Sequence, residues 1–167
     1  MQGYEVTLPE MLACREHRAL LQQELIARYH CPVISFCMNI PGPIKTTPQI
    51  CSAFEHGLKI LEEQLTLQKI PVLEAIPIHE VTGDEWIAAV KFPASSIKTL
   101  TTQIEETDCF GRLFDIDVID ITGEKLSRPI YRKCLICGRQ AQECASSRRH
   151  SVKEMQDKIE EILEKGM

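Results

Sequence analysis

The chain has 167 residues, 44% of them apolar, which suits one self-supporting domain that buries roughly 70% of the surface its unfolded chain exposes and excludes a disordered chain. Its net charge of −5 argues against non-specific nucleic-acid binding, which rests on clustered positive charge, while leaving room for a local basic pocket. No apolar run approaches the roughly eighteen residues of a membrane span and Met1 to Glu10 lack the layout of a secretory signal, so a cytoplasmic protein is expected, whose eight cysteines read as buried thiols or metal ligands.

Pro9 to Tyr29 is predicted helical, with Leu21, Leu25 and Tyr29 at helical spacing and Arg15 and Arg18 sharing a face. Val33 to Met38 is a short run of strand formers, ended by the breaker Pro41-Gly42-Pro43. Thr47 and Pro48 then signal a cap and a first turn, and Ile50, Phe54, Leu58, Leu61 and Leu65 recur at steps of a helix. Two strands follow, Val72 to Val81 and Trp86 to Phe92, joined through Thr82-Gly83-Asp84-Glu85 as a hairpin. A helix from about Ser95 to Glu106 faces Ile97, Leu100 and Ile104 inward and ends before Gly111. Leu113 to Ile121 is a strand, and the turn Thr122 to Lys125 is expected to lead into a short edge strand through Leu126 and Arg128. The order strand, helix, strand, strand, helix, strand is that of an α+β, ferredoxin-like split βαβ sheet, antiparallel with helices on one face, plus N- and C-terminal helices. No repeat or linker divides residues 1–167, so they read as a single domain. Within it, 131–150 is a cysteine-bearing loop and 151–165 a C-terminal helix opened by the capping box of Ser151 and Glu154.

The most informative stretch is Gly111-Arg112-Leu113-Phe114-Asp115-Ile116-Asp117. Alternation on a strand sends Asp115 and Asp117 to one face and Phe114, Ile116 and Val118 to the other. Carboxylates about 7 Å apart along a strand suit one divalent cation between them, which would neutralise a polyphosphate; the plainer reading is an acidic exposed face. Arg112 and Lys45 supply positive charge nearby. Cys134, Cys137, Cys144 and His150 have the spacing of a closed tetrahedral zinc site, or equally are buried thiols beside an unrelated histidine. Arg128, Arg132, Lys133, Arg139, Arg148 and Arg149 surround that loop, as a basic pocket wall or as counter-charges to the acidic last helix. His56, beside Gly57, is available as a base or phosphate donor, or as a structural helix histidine.

These motifs resemble, over nearly the whole length, the holo-citrate lyase synthases, also called apo-citrate lyase phosphoribosyl-dephospho-CoA transferases. The likeness rests on Arg15-Glu16-His17-Arg18, Pro41-Gly42-Pro43-Ile44-Lys45, His56-Gly57, Gly111 to Asp117, Ser127-Arg128, and Cys134-Leu135-Ile136-Cys137 continuing to Cys144 and His150. The resemblance implies a nucleotidyltransferase that moves the 2'-(5-triphosphoribosyl)-3'-dephospho-CoA prosthetic group to a serine of the acyl carrier (gamma) subunit of citrate lyase and releases pyrophosphate. The reading of the residues fits that reaction, with Mg2+ expected on Asp115 and Asp117, catalytic roles for Arg112 and His56 beside them, and substrate binding by Lys45, Arg15, Arg18 and Arg128. A structural Zn2+ on Cys134, Cys137, Cys144 and His150 is compatible with it. An acidic carrier would dock on the arginines around Cys134 to His150, with Arg15 and Arg18. Two other readings stand beside it. One is the same chemistry on a different acyl carrier, such as that of malonate decarboxylase. The other is a non-enzymatic zinc- or nucleic-acid-binding module, for which the aromatics Phe36, Trp86, Phe92, Phe110 and Phe114 are too few.

Overall fold

Capping signals start the first two helices close to where the sequence places them in the computed structural model, which describes residues 1–166. Helix α1 (Leu8–Tyr29) opens on a capping box, in which Glu10 N–H donates to Thr7 Oγ1 at 3.4 Å and Thr7 N–H donates to Glu10 Oε2 at 2.7 Å. Thr47 caps α2 (Pro48–Leu67) by accepting from Ile50 N–H at 3.2 Å. The strands are β1 (Val33–Met38), β2 (Val72–Glu80), β3 (Gly83–Val90) and β4 (Phe114–Ile119), with α3 (Ala94–Thr107) between the last two. A 3-10 turn, Gly111–Leu113, precedes β4, and α4 (Ala141–Ser146) and α5 (Val152–Gly166) complete the chain.

The sheet runs β2-β3-β1-β4 with every neighbouring pair antiparallel, which is the expected split βαβ order. Helices α2 and α3 cover one face. There Phe36 stacks on Phe54 with ring centroids 4.8 Å apart and meets Phe114 edge-on at 5.3 Å, and Ile159 and Leu163 of α5 join the same core. The other face is shared with α1: Leu25 seals Val33, Ile87, Ala89 and Ile119, while Arg18 and Gln22 lie over the polar Glu85 and Ser35. Among the described residues no helix is long and apolar enough to cross a membrane.

Three local readings differ from the structure. The hairpin turn is tighter than expected: β3 already begins at Gly83, whose φ of +126° a side chain would strain. The cysteine loop contains α4, too short to show a helical period. The edge strand through Leu126 and Arg128 does not form; one bridge, Ile119 to Lys125, and one bond, Leu126 N–H to Val118 C=O at 2.9 Å, hold the chain before it leaves. The outer edge of β4 is already occupied at Ile116, whose N–H donates to Glu105 Oε1 at 2.8 Å and whose C=O accepts from Lys98 Nζ at 3.2 Å.

Gly57 marks the closest helix-to-sheet approach, since a Cβ there would lie 2.5 Å from Phe114 Cζ and 2.9 Å from Phe36 Cζ. Gly57→Ala is expected to destabilise the protein by about 1–3 kcal/mol through overpacking, read as a lower midpoint in urea unfolding. An unchanged midpoint would show that the aromatic cluster can shift to admit the methyl group.

Candidate active site

Strand alternation decides where the acidic pair points. Phe114, Ile116 and Val118 are buried in the main core, while Asp115 and Asp117 stand half-buried on the opposite face, across β1 from Cys37 and Ser35. Asp115 Oδ2 accepts a weak bond from Cys37 Sγ at 3.9 Å, and Asp117 Oδ2 lies 2.5 Å from Lys125 Nζ. Burial, reinforced by the charge of Asp115, pushes the Asp117 carboxyl above its ordinary range, and the bond to Lys125 opposes that shift. Two carboxylates that repel each other and recruit an ammonium form an all-oxygen donor set of the kind a hard divalent cation takes.

The aspartates line a cavity of about 630 Å³ together with Lys125, Arg128 and Arg132. Beside it opens a larger one of about 850 Å³, into which Arg15, Lys45, Arg112, Arg132, Lys133 and Arg148 project. Among the described residues that line the larger cavity there is no aspartate or glutamate. The two cavities share Asn39, Arg132, Ala141 and Gln142 as a common wall. Burial lowers the pKa of Lys45, and the nearby Arg15 lowers it further; burial and then Arg132 do the same to Arg112. Cations crowded in a half-buried space, with no acid among the residues that line it, are relieved by a polyanion.

The cationic heads are held by bonds to the fold. Lys45 Nζ donates to Ile40 C=O at 2.6 Å, Arg112 to the Lys133 carbonyl and Arg132 to the Phe114 carbonyl. Glu105, buried on α3, binds Arg128 through Oε2 at 2.9 Å and Arg132 through Oε1 at 3.1 Å. The Sγ atoms of Cys134, Cys137 and Cys144 and a ring nitrogen of His150 all lie within 4.8 Å of one another.

Of the residues singled out in the sequence, Asp115, Asp117 and Arg128 thus meet at the smaller cavity, and Arg15, Lys45, Arg112, Cys134, Cys144 and His150 line the larger. Arg18 lines neither: it is tied under α1 to the buried Glu85, donating from Nε at 2.6 Å and from Nη2 at 3.0 Å. His56 also lies apart, with Nε2 2.8 Å from Asp108 Oδ2 and its ring edge-on to Phe110. Asn39, Lys98, Glu105 and Lys125 are the site residues that sequence reasoning missed. Lys98 and Glu105 could have been found together as charged positions one residue past the inward Ile97 and Ile104 of α3. For Asn39 the sequence carries no signal.

Comparison with known proteins agrees with these motifs. The family described as apo-citrate lyase phosphoribosyl-dephospho-CoA transferase matches residues 6–166. Proteins of that name from Escherichia coli O1:K1 / APEC and from Shigella boydii serotype 18 are each 32% identical over 164 residues, covering 96% of this chain and 90% of the relative. A protein of Escherichia coli strain 55989, named a probable transferase of the same kind, matches to the same extent.

Glu105→Ala is expected to lower the unfolding free energy by about 3 kcal/mol, the low end for breaking a buried ion pair, because Arg128 and Arg132 keep partial contact with water. Chemical denaturation measures it. A loss below about 1 kcal/mol, the size of a surface pair, would mean that the arginines find other partners.

Proposed function

This chain belongs to the apo-citrate lyase phosphoribosyl-dephospho-CoA transferase family, and from that membership we infer that it transfers the phosphoribosyl-dephospho-CoA group to apo-citrate lyase. The observation that carries the reading is the junction of an acidic pair with a cavity whose charged lining residues are all basic, across a shared wall. A polyphosphate needs both: cations for its non-bridging oxygens and a carboxylate-held cation where charge develops.

In the finer reading the donor is triphosphoribosyl-dephospho-CoA and the acceptor is a serine of the acyl carrier (gamma) subunit. Lys45, Arg112, Arg132 and Arg148 bind the two phosphates that leave, which fixes the remaining phosphorus toward Asp115 and Asp117. The serine oxygen forms a bond to that phosphorus, the bond to the neighbouring bridging oxygen breaks, and pyrophosphate and one proton are released. Asp115 and Asp117 would hold Mg2+, which when bound offsets the charge that accumulates on the departing pyrophosphate. Lys125 pairs with Asp117 and opposes the rise that burial and Asp115 impose on its pKa, and Arg128 adds positive charge to the same cavity. Glu105 acts through Arg128 and Arg132 as a positioning residue. The protein works in the cytoplasm on a protein substrate, and nucleic acid is not among its partners. Arg15 of α1, which lines the basic cavity, adds positive charge suited to an acidic carrier.

The test is the intact mass of apo carrier subunit after incubation with the triphosphoribosyl precursor and magnesium. The native protein is expected to add the prosthetic-group mass, with Asp117→Asn slower by roughly a hundredfold or more, the scale of losing one charge-stabilising group. Lys45→Ala is expected to raise KM for the precursor more than it lowers kcat. An unmodified citrate lyase carrier beside a modified carrier of malonate decarboxylase would overturn the acceptor. A fully active Asp117→Asn would remove the metal role of the pair.

A further inference from the structure

The segment 131–150 carries three of the six cations of the larger cavity, Arg132, Lys133 and Arg148, yet it has little apolar packing of its own. Ile130 just before it and Tyr131 at its start are 68% and 72% exposed. What it does have is a cluster of ligand atoms. Cys134 and Cys137 stand on a tight turn in which Gly138 N–H donates to Cys134 C=O at 3.3 Å, and Gly138 takes a φ of +70°. Within that turn Ile136 N–H points at Cys134 Sγ, 3.5 Å away. Cys144 comes from α4, and the chain then reverses at Arg148, whose φ is +46°. Arg149 N–H donates to Cys144 C=O at 3.1 Å, and His150 is brought back to the three sulfurs.

Two observations point to a ligand that these four residues share. His150 Nε2 is buried with no hydrogen-bond partner, a state that costs a polar atom its full desolvation. Cys137 and Cys144 are 3.4 Å apart at sulfur, and the ligand atoms of all four residues fit within 4.8 Å. Tetrahedral zinc, with Zn–S of about 2.3 Å, sets its sulfurs about 3.8 Å apart. A Cys137–Cys144 disulfide would need the sulfurs at about 2.05 Å and would leave Cys134 and the His150 nitrogen without a partner.

We propose that Cys134, Cys137, Cys144 and His150 bind one Zn2+, which staples segment 131–150 and so fixes the basic wall of the polyphosphate cavity. With four protein ligands the metal has no open position, so its part is structural. It replaces the core that the segment lacks: short metal-bound segments take their folding energy from the metal. The metal site stands on the cluster alone, while its effect on phosphate binding rests on the proposed function.

The full chain, purified under reducing conditions without chelator, is analysed for metal by mass spectrometry. About one zinc per chain is expected, lost in Cys144→Ser, kept in His150→Cys, which restores a four-ligand set, and kept in Cys51→Ser. If Cys144→Ser does not fold, cobalt exchanged into the native chain decides the matter. Thiolate-to-metal charge transfer with intense tetrahedral bands supports the site, and a weak octahedral spectrum overturns it. A chain that contains no zinc and takes none up, or whose intact mass reveals a Cys137–Cys144 disulfide, also overturns it. Inorganic pyrophosphate is then titrated calorimetrically into zinc-loaded and zinc-stripped protein, with binding expected to weaken roughly tenfold to a hundredfold on stripping. Equal affinities would overturn the staple. Zinc bound by a protein that leaves the carrier unmodified would sink the proposed function and leave this site standing.

Discussion

Glu105 reaches from α3 to the outer edge of β4, where its carboxylate accepts the N–H of Ile116 and binds Arg128 and Arg132. An uncovered sheet edge presents unpaired backbone groups and invites pairing with another chain. Here the edge is closed by two side chains of one helix, Glu105 on the N–H and Lys98 on the carbonyl of the same residue. The choice has a second effect. Because no fifth strand runs beside β4, the space next to Asp115 and Asp117 stays open, and the arginines that neutralise Glu105 line it. Edge protection and the arrangement of charge at the site are therefore a single interaction.

The distribution of charge explains how an acidic protein presents a basic site. Net charge governs non-specific attraction at a distance, whereas a cleft focuses the field of the few groups that line it. Acidic residues are drawn into ion pairs elsewhere: Glu85 with Arg18, and Glu161 with Lys158 and Lys165 on α5. The six cations of the larger cavity have no such partner among the residues that line it. The burial of Lys45 and Arg112 makes their charges more effective and also more costly to hold without an anion. Asn39, Arg132, Ala141 and Gln142 border both cavities, so Arg132 belongs to the basic lining and to the lining that holds the aspartates.

Period and capping made most of this fold legible. The caps at Thr47 and Ser151, the inward stripe of α2 and the alternation through β4 are local, and the structure keeps each of them. Strand order also followed, because a βαββαβ sequence of elements leaves few arrangements. What failed to show was long-range. Leu126 to Arg128 has the composition of an edge strand, and only the side chains of Lys98 and Glu105, contributed by α3, remove its pairing partners. Lys125 reads as a turn residue until the bridge to Ile119 brings it to Asp117. Arg18 reads as a substrate-binding cation because nothing local reveals that Glu85, on a strand far along the chain, waits beneath α1.

The motif residues that carry the resemblance accordingly divide by physical role. Gly57 has no room for a side chain against Phe36 and Phe114, and its neighbour His56 ties the end of α3 through Asp108. Gly111 is the stricter case: a Cβ there would lie 2.4 Å from the carbonyl oxygen of Glu105. That contact presses the 3-10 turn Gly111–Leu113 onto the last turn of α3, so the chain enters β4 directly beside the residue that closes its edge. One residue later Arg112 reaches the basic cavity, and Asp115 and Asp117 follow on the strand that Glu105 holds. A glycine that touches no substrate thereby sets the register of both charged groups, since a side chain at position 111 would lift the turn and carry Arg112 and the aspartates with it.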